Sequence, residues 1–316
     1  MRWSYSSARL FRQCQRKWYF AKIMAGPGKL TDDARLRARR LSHLSTLSAW
    51  RGDIVDTVIS ERIIPALQMG DRIKSGEVRT YARKLFDQQR AFAEKNRKED
   101  LTLVKSHHPS EFALFHEHVY GPEPTEDDFD AAWHDIVTAF STLYALDDFR
   151  AQLVAGMSYY AQPPLHFDIV ADLKGKAVPD LIVYTDDAPI QIIDWKVHTD
   201  GTNDARGQLA SYAIALSRMI KPNRNFPLEG WQAPAKDIVL KEVQLLLGDV
   251  RTHELTDDDI EDAEAFMMHT AFSMEQLQDG KKFANCDIEE FEATSDPELC
   301  ASCAFQSICW ETAGHA

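Results

Sequence analysis

A chain of 316 residues, 44% hydrophobic and 27% charged, is long enough for one large domain or two modest ones and has the composition of an ordinary globular protein. No run approaches the roughly 18 apolar residues of a membrane span, and the opening MRWSYSSARLFRQCQRKWYF lacks the apolar core of a signal peptide, so a cytoplasmic protein without membrane contact is expected. The net charge of -13 argues against a uniformly basic nucleic-acid binder, yet residues 1–40 hold eleven Lys or Arg against two Asp.

Within that basic segment sit Trp3, Tyr5, Phe11, Trp18, Tyr19 and Phe20. Two readings are open. Interleaved bases and aromatics suit a strand of nucleic acid, and an amphipathic helix would instead place the aromatics in a core and solvate the bases. Residues 31–160 carry apolar positions at helical spacing, broken at SHHPSEFALFHEHVYGPEPTEDD, where a loop or short strands are expected. His107, His108, His116 and His118 flank this break and read as surface or core histidines, because nothing in the spacing fixes a metal geometry.

Strand signals cluster from His166 to Val197 and are followed by a helix in DARGQLASYAIALSRMI and one more strand in DIVLKEVQLLLGDV. A last helix opens with Thr256 at the N-cap and Asp259 three residues on, a capping box, and closes at Gly280. Helices, strands, helix, strand, helix is the order of a mixed sheet with helices packed on it.

The stretch PDLIVYTDDAPIQIIDWKV, residues 179–197, reads as a hairpin turning about Asp187. That register sets Asp180 opposite Asp194, with Lys196 on the same face and Trp195 on the other. Like charges placed opposite one another are destabilising, and a divalent cation such as Mg²⁺ or Mn²⁺ would relieve them. A plainer reading has Asp180 capping a strand end and Asp194 with Lys196 as an exposed pair. In the following helix Gln208 and Tyr212, four apart, share a face. Five cysteines without an export signal point to metal binding or free thiols, and Cys300, Cys303 and Cys309 stand at C-x2-C-x5-C.

Pro179-Asp180, Asp194-Trp195-Lys196 and the Gln208/Tyr212 pair, in this order, resemble the PD-(D/E)xK nuclease superfamily. The Ser-rich opening before Cys14 and the C-terminal cysteines resemble its RecB-like branch with an iron-sulfur cluster, the AddB-type and CRISPR-associated exonuclease-like members. The resemblance implies an α/β fold, with a restriction-endonuclease-like mixed sheet core flanked by helices, a large helical N-terminal part and a C-terminal iron-sulfur staple. It divides the chain into a basic and mostly helical region at 1–160, a nuclease core at 161–250 and a helix with the cysteine cluster at 251–316. Asp180 and Asp194 would hold Mg²⁺ or Mn²⁺, with the Trp195 carbonyl as a further ligand. Asp56, after Gly52, stands where the branch often has a histidine and would be another ligand. Lys196 would orient the attacking water, and Gln208 and Tyr212 would position the strand.

Cys14, Cys300, Cys303 and Cys309 would hold a 4Fe-4S cluster that locks together chain ends too distant in sequence to be held by packing alone. Zinc in place of the cluster, and Cys286 in place of Cys14, remain open. The activity implied is that of a metal-dependent DNase, an exonuclease on single-stranded or frayed DNA ends, working in repair, CRISPR adaptation or phage defence, with possible protein partners in such a complex. The alternative is a non-catalytic DNA-binding subunit of a larger assembly. No G-x-x-x-x-G-K-[ST] loop is present, so the chain carries no helicase motor of that type.

Overall fold

The computed structural model describes residues 2–27, 32–71, 73–98, 100–170, 172–199, 205–222, 226–227 and 229–312. Its strands are β1 (Arg2–Trp3), β2 (Leu44–Ser45), β3 (Leu114–Phe115), β4 (Ser158–Ala161), β5 (Leu165–Val170), β6 (Leu173–Ala177), β7 (Leu181–Tyr184), β8 (Gln191–Lys196), β9 (Val239–Gln244) and β10 (Asp249–His253). The main sheet runs β10-β9-β8-β7-β4, antiparallel throughout except for the parallel pair β8 and β9. A parallel pair needs a crossover, and the helix Ala205–Ser217 supplies it. A smaller sheet, β1-β6-β5, packs its inner face on that helix, and β2 pairs with β3 alone.

Strand alternation divides the core. Ile182, Ile192 and Leu240 face one hydrophobic cluster, which holds the Ala205–Ser217 and Asp257–Gln278 helices and the inner face of the small sheet. Leu181, Val183, Ile193, Trp195 and Val243 face a second cluster, built from the helices Leu47–Val58, Ser75–Lys95 and Glu126–Ala145. The main sheet therefore lies between two helical layers, the mixed α/β architecture expected.

The hairpin register is as read from the sequence: Leu181 opposes Ile193, Ile182 opposes Ile192 and Val183 opposes Gln191. Asp187 takes a φ of 56° at the turn, a left-handed value that Asp tolerates better than most residues. The single strand expected after the crossover is in fact two. Gly248, at φ 73°, turns VLKEVQ back as β10, a hairpin signal hidden inside a run of leucines.

The aromatics of the basic segment belong to the core, which corrects the nucleic-acid reading of that stretch. Trp3, Phe11, Trp18, Tyr19 and Phe20 are all buried. Burying one tryptophan is worth about 4–6 kcal/mol at ~25 cal/mol per Å², more than an exposed stacking platform could return without its ligand. Three arginines of the segment are engaged too. Arg35 donates to the Met24 and Gly26 carbonyls, Arg39 to those of Ala25 and Gly26, and Arg40 to those of Asn96 and Lys98. Lys29 lies outside the described residues.

The chain ends dock by ordinary contacts, so the expectation that packing alone could not join them is also corrected. Arg16 N donates to the Glu292 carbonyl at 3.1 Å, Glu292 N donates to Gln15 Oε1 at 3.2 Å, and Arg16 Nε reaches the Phe291 carbonyl. Tyr19 packs on Phe291 with ring centroids 4.7 Å apart, and Phe20 stacks on Phe305 at 5.6 Å.

Candidate active site

β7 begins one residue after Asp180, so continuing its ladder by one step sets Asp180 against Asp194, the fourth residue of β8. A hydrogen bond fixes that juxtaposition: Trp195 N donates to Asp180 Oδ2 at 2.9 Å. In a strand the N–H and C=O of one residue point to the same side, so the Trp195 carbonyl also looks toward Asp180. Its indole turns the other way, edge-on to Phe149.

Asp194 is 2% exposed, and its Oδ2 lies 2.6 Å from Lys196 Nζ. That oxygen has no hydrogen bond of good geometry among the described residues. Lys196 Nζ donates to Gln208 Oε1 at 3.2 Å, and Gln208 Nε2 donates to the Tyr212 hydroxyl at 2.6 Å. The helical i, i+4 pair thus points at the lysine and fixes its direction. Burial, with Asp194 and Asp180 nearby, pushes the Tyr212 hydroxyl far up, so it stays a phenol at any working pH.

Asp56 lies on the helix Leu47–Val58, whose N-cap is Thr46 and whose buried stripe is Trp50, Ile54, Val55 and Val58. Its carboxylate accepts from Gln162 Nε2, and Ser60 Oγ lies 3.5 Å away, on the π-helical turn Ile59–Ile63 that continues the helix. Burial, reinforced by Asp53, raises the Asp56 carboxyl to about 6. Asp180 is raised by burial and then by the charges of Asp194 and Asp56, which places the three acids within one electrostatic neighbourhood. Asp194 is also raised by burial, which outweighs the pull of Lys196. Like-charged groups held this way are short of positive charge at neutral pH.

Two contributors carry no motif. Gln162, at φ 48°, holds the Asp180 carbonyl through its N–H at 2.9 Å and Asp56 through its side chain. Glu242, 1% exposed, is the β9 partner of Asp194 and is held by Gln244, by His253 at 3.1 Å and by Arg251 at 3.5 Å. A Lys-Glu-x-Gln run inside an apolar strand was its one visible signal. Of the loop histidines, His108 pairs with Glu111 at 2.7 Å and His118 packs on Phe115. His198 Nδ1 is buried without a hydrogen bond.

Apart from the acids, Cys14, Cys300, Cys303 and Cys309 line one small cavity of about 30 Å³, with Lys17, Phe20, Phe305 and Trp310 around them. Cys286 is not among its lining residues. Burial pushes the Cys303 and Cys309 thiols up. Among the described residues no three His, Cys, Asp or Glu side chains are gathered closely enough to hold an ion as they stand, here or at the acids.

The family model described as the PD-(D/E)XK nuclease superfamily matches residues 2–310. The chain belongs to the PD-(D/E)XK nuclease superfamily. No curated protein matches it. Members of the superfamily are generally hydrolytic nucleases that use Mg²⁺ or Mn²⁺. The donor set of this PD-(D/E)XK chain fits such an ion: hard carboxylates at Asp180 and Asp194, a backbone carbonyl beside them, and a buried carboxylate oxygen lacking a hydrogen bond.

Proposed function

We propose that the chain is a metal-dependent deoxyribonuclease, with Asp180 and Asp194 as metal ligands, Asp56 and the Trp195 carbonyl completing the set, and Lys196 as the residue that orients the attacking water. The observation that carries this reading is the chain of contacts Asp194–Lys196–Gln208–Tyr212, set against Asp180 by the hairpin register. A divalent ion bound there would polarise the scissile phosphate and lower the pKa of bound water. Lys196, held by Asp194 and Gln208, presents its ammonium to the water and to charge growing on the phosphate oxygens. Tyr212 fixes Gln208, and Gln208 fixes the lysine.

The finer reading, an exonuclease on single-stranded or frayed DNA ends in repair, CRISPR adaptation or phage defence, is supported by the resemblance to RecB-like chains with this cysteine pattern. A 4Fe-4S cluster on Cys14, Cys300, Cys303 and Cys309 belongs to the same reading, supported by four soft donors on one cavity. One observation favours the alternative, a non-catalytic DNA-binding subunit: the Asp56 carboxylate is tied to Gln162. The test is anaerobically purified protein incubated with Mn²⁺ and end-labelled single-stranded DNA, double-stranded DNA and RNA. Stepwise shortening of single-stranded DNA that stops in EDTA is expected. Binding without cleavage under every divalent metal would leave the alternative standing.

A further inference from the structure

Unpaired positive charge collects on one face of the small sheet. Trp3, Leu165, Phe167, Ile169 and Ala177 point inward and are buried. The alternate residues Arg2, His166, Asp168, Lys174 and Lys176 point to solvent. The register sets Lys174 between Arg2 and Asp168, and Lys176 beside His166. Lys174 is paired with Asp168 at 2.5 Å, whereas Arg2 and Lys176 have no acidic partner among the described residues. At the far edge Met219 bridges Phe167, and the residues after it, Ile220 and Lys221, close an open cleft of about 470 Å³ over Arg2, His166 and Lys174. Ile220 is 66% exposed there. Burial, with the charges of Arg2 and Lys176 close by, pulls the His166 imidazole down.

Four cations thus stand against one carboxylate in a chain whose net charge is -13. Elsewhere in the basic amino-terminal segment Arg35, Arg39 and Arg40 are held by backbone carbonyls and Arg16 by Glu289. Both strands of this face run into the acid site. β6 ends three residues before Asp180, and β5 begins three residues after Gln162. Four residues of chain span at most about 14 Å, which bounds the distance from Lys176 to Asp180.

We infer that the outward face of β1, β6 and β5 is the track along which the phosphate backbone of a nucleic-acid strand reaches the Asp180–Asp194 site. The inference rests on the nuclease reading of that site. Lys174 and Lys176, two residues apart, are separated by about 6.6 Å along the strand. Successive rows therefore meet successive phosphates of an extended backbone, and Ile220 gives its sugars an apolar edge.

The test is the binding of fluorescent (dT)20 and (dT)4 in EDTA, so that no cleavage intervenes, between 50 and 200 mM KCl. Wild type is compared with Arg2→Glu/Lys176→Glu/Lys221→Glu and with the milder Lys176→Gln/Lys221→Gln. Removing three phosphate contacts should make the plot of log K against log salt shallower by about 2 for (dT)20, at roughly 0.7 per contact on a single strand. The glutamine pair should lose about two thirds of that, and (dT)4 should lose less affinity than (dT)20. An unchanged slope and affinity for (dT)20 in both variants overturns the track. So does polyglutamate that displaces (dT)20 from wild type as well as unlabelled (dT)20 does, because the face would then take any acidic chain. Cleavage in Mn²⁺ is scored separately. A protein that cuts with an unchanged slope loses the track and keeps the nuclease reading, and one that never cuts but shows the shallower slope loses only the nuclease reading.

Discussion

The acid site and the cysteine cavity are both clusters of candidate ligands, and they are built in opposite ways. Asp180, Asp194 and Lys196 are fixed by strand register within a few residues of one hairpin, and their charges are buried against each other. The four cysteines come from two distant chain segments that are already joined by backbone hydrogen bonds and aromatic packing. The first arrangement stores unfavourable electrostatics that a bound cation would relieve. A cluster bound at the second would add a cross-link to an interface that exists without it. Changes at the acids should therefore cost chemistry and spare stability, and changes at the cysteines should do the reverse.

The largest effect expected is on cleavage. Asp194→Asn keeps the side-chain shape and removes one buried charge, so the rate should fall by about 10³ or more, as when transition-state stabilisation of several kcal/mol is lost. Its melting temperature in metal-free buffer should not fall. A variant that both melts early and cuts normally would abolish the contrast. Lys196→Met should follow, with a rate loss of about 10² and little change in DNA affinity measured in Ca²⁺. An equal loss in affinity would make the lysine a binding residue and not one that acts on the water.

At the other cluster, fresh protein should be brown with about four irons per chain, as a four-thiolate cluster requires. Cys303→Ser should bleach it and lower the melting temperature by about 5 °C or more, at about 2–4 °C per kcal/mol for a large domain. Because the ends also hold each other by packing, some cleavage should survive. Colourless protein with stoichiometric zinc would remove the iron-sulfur reading and leave the acids untouched.

The smallest effect is a pH dependence of the metal-free protein. An acid raised in the folded state binds its proton more tightly there than when unfolded. Folding is thus favoured as pH falls through about 6 toward the ordinary carboxylate range, and disfavoured above it. Asp56→Asn should be more stable than wild type at pH 7, by at most about 3 kcal/mol for a shift of roughly two pH units, and should lose that advantage by pH 4. Denaturation curves at the two pH values decide it. An advantage that is the same at both would mean that the Asp56 charge is solvated.

The hairpin was legible because strand alternation and one turn fix its register, and the Gln208/Tyr212 pair because four residues make a helical turn. The sequence did not show that this pair grips Lys196, since that depends on where the crossover helix lands on the sheet. Gln162 and Glu242 reach the acids from other strands and leave no local periodicity. The basic segment misled for a related reason. Density of charge along a chain says nothing about whether a carbonyl waits for it, and Arg2, Lys176 and Lys221, which have no acidic partner among the described residues, are scattered over most of the chain.

The docking of Trp18 and Tyr19 on Phe291 also sets a timetable for biosynthesis. At about 5–20 residues per second, the stretch between Trp18 and Phe291 takes roughly 14–55 s to translate. Until then the aromatic face of the first helices has no lid, and β1 cannot pair before β6 emerges from the ribosome. The aromatic face of the first helices consequently stays uncovered through most of the synthesis of the stretch that separates it from Phe291, and the segment around Phe291 is what covers it.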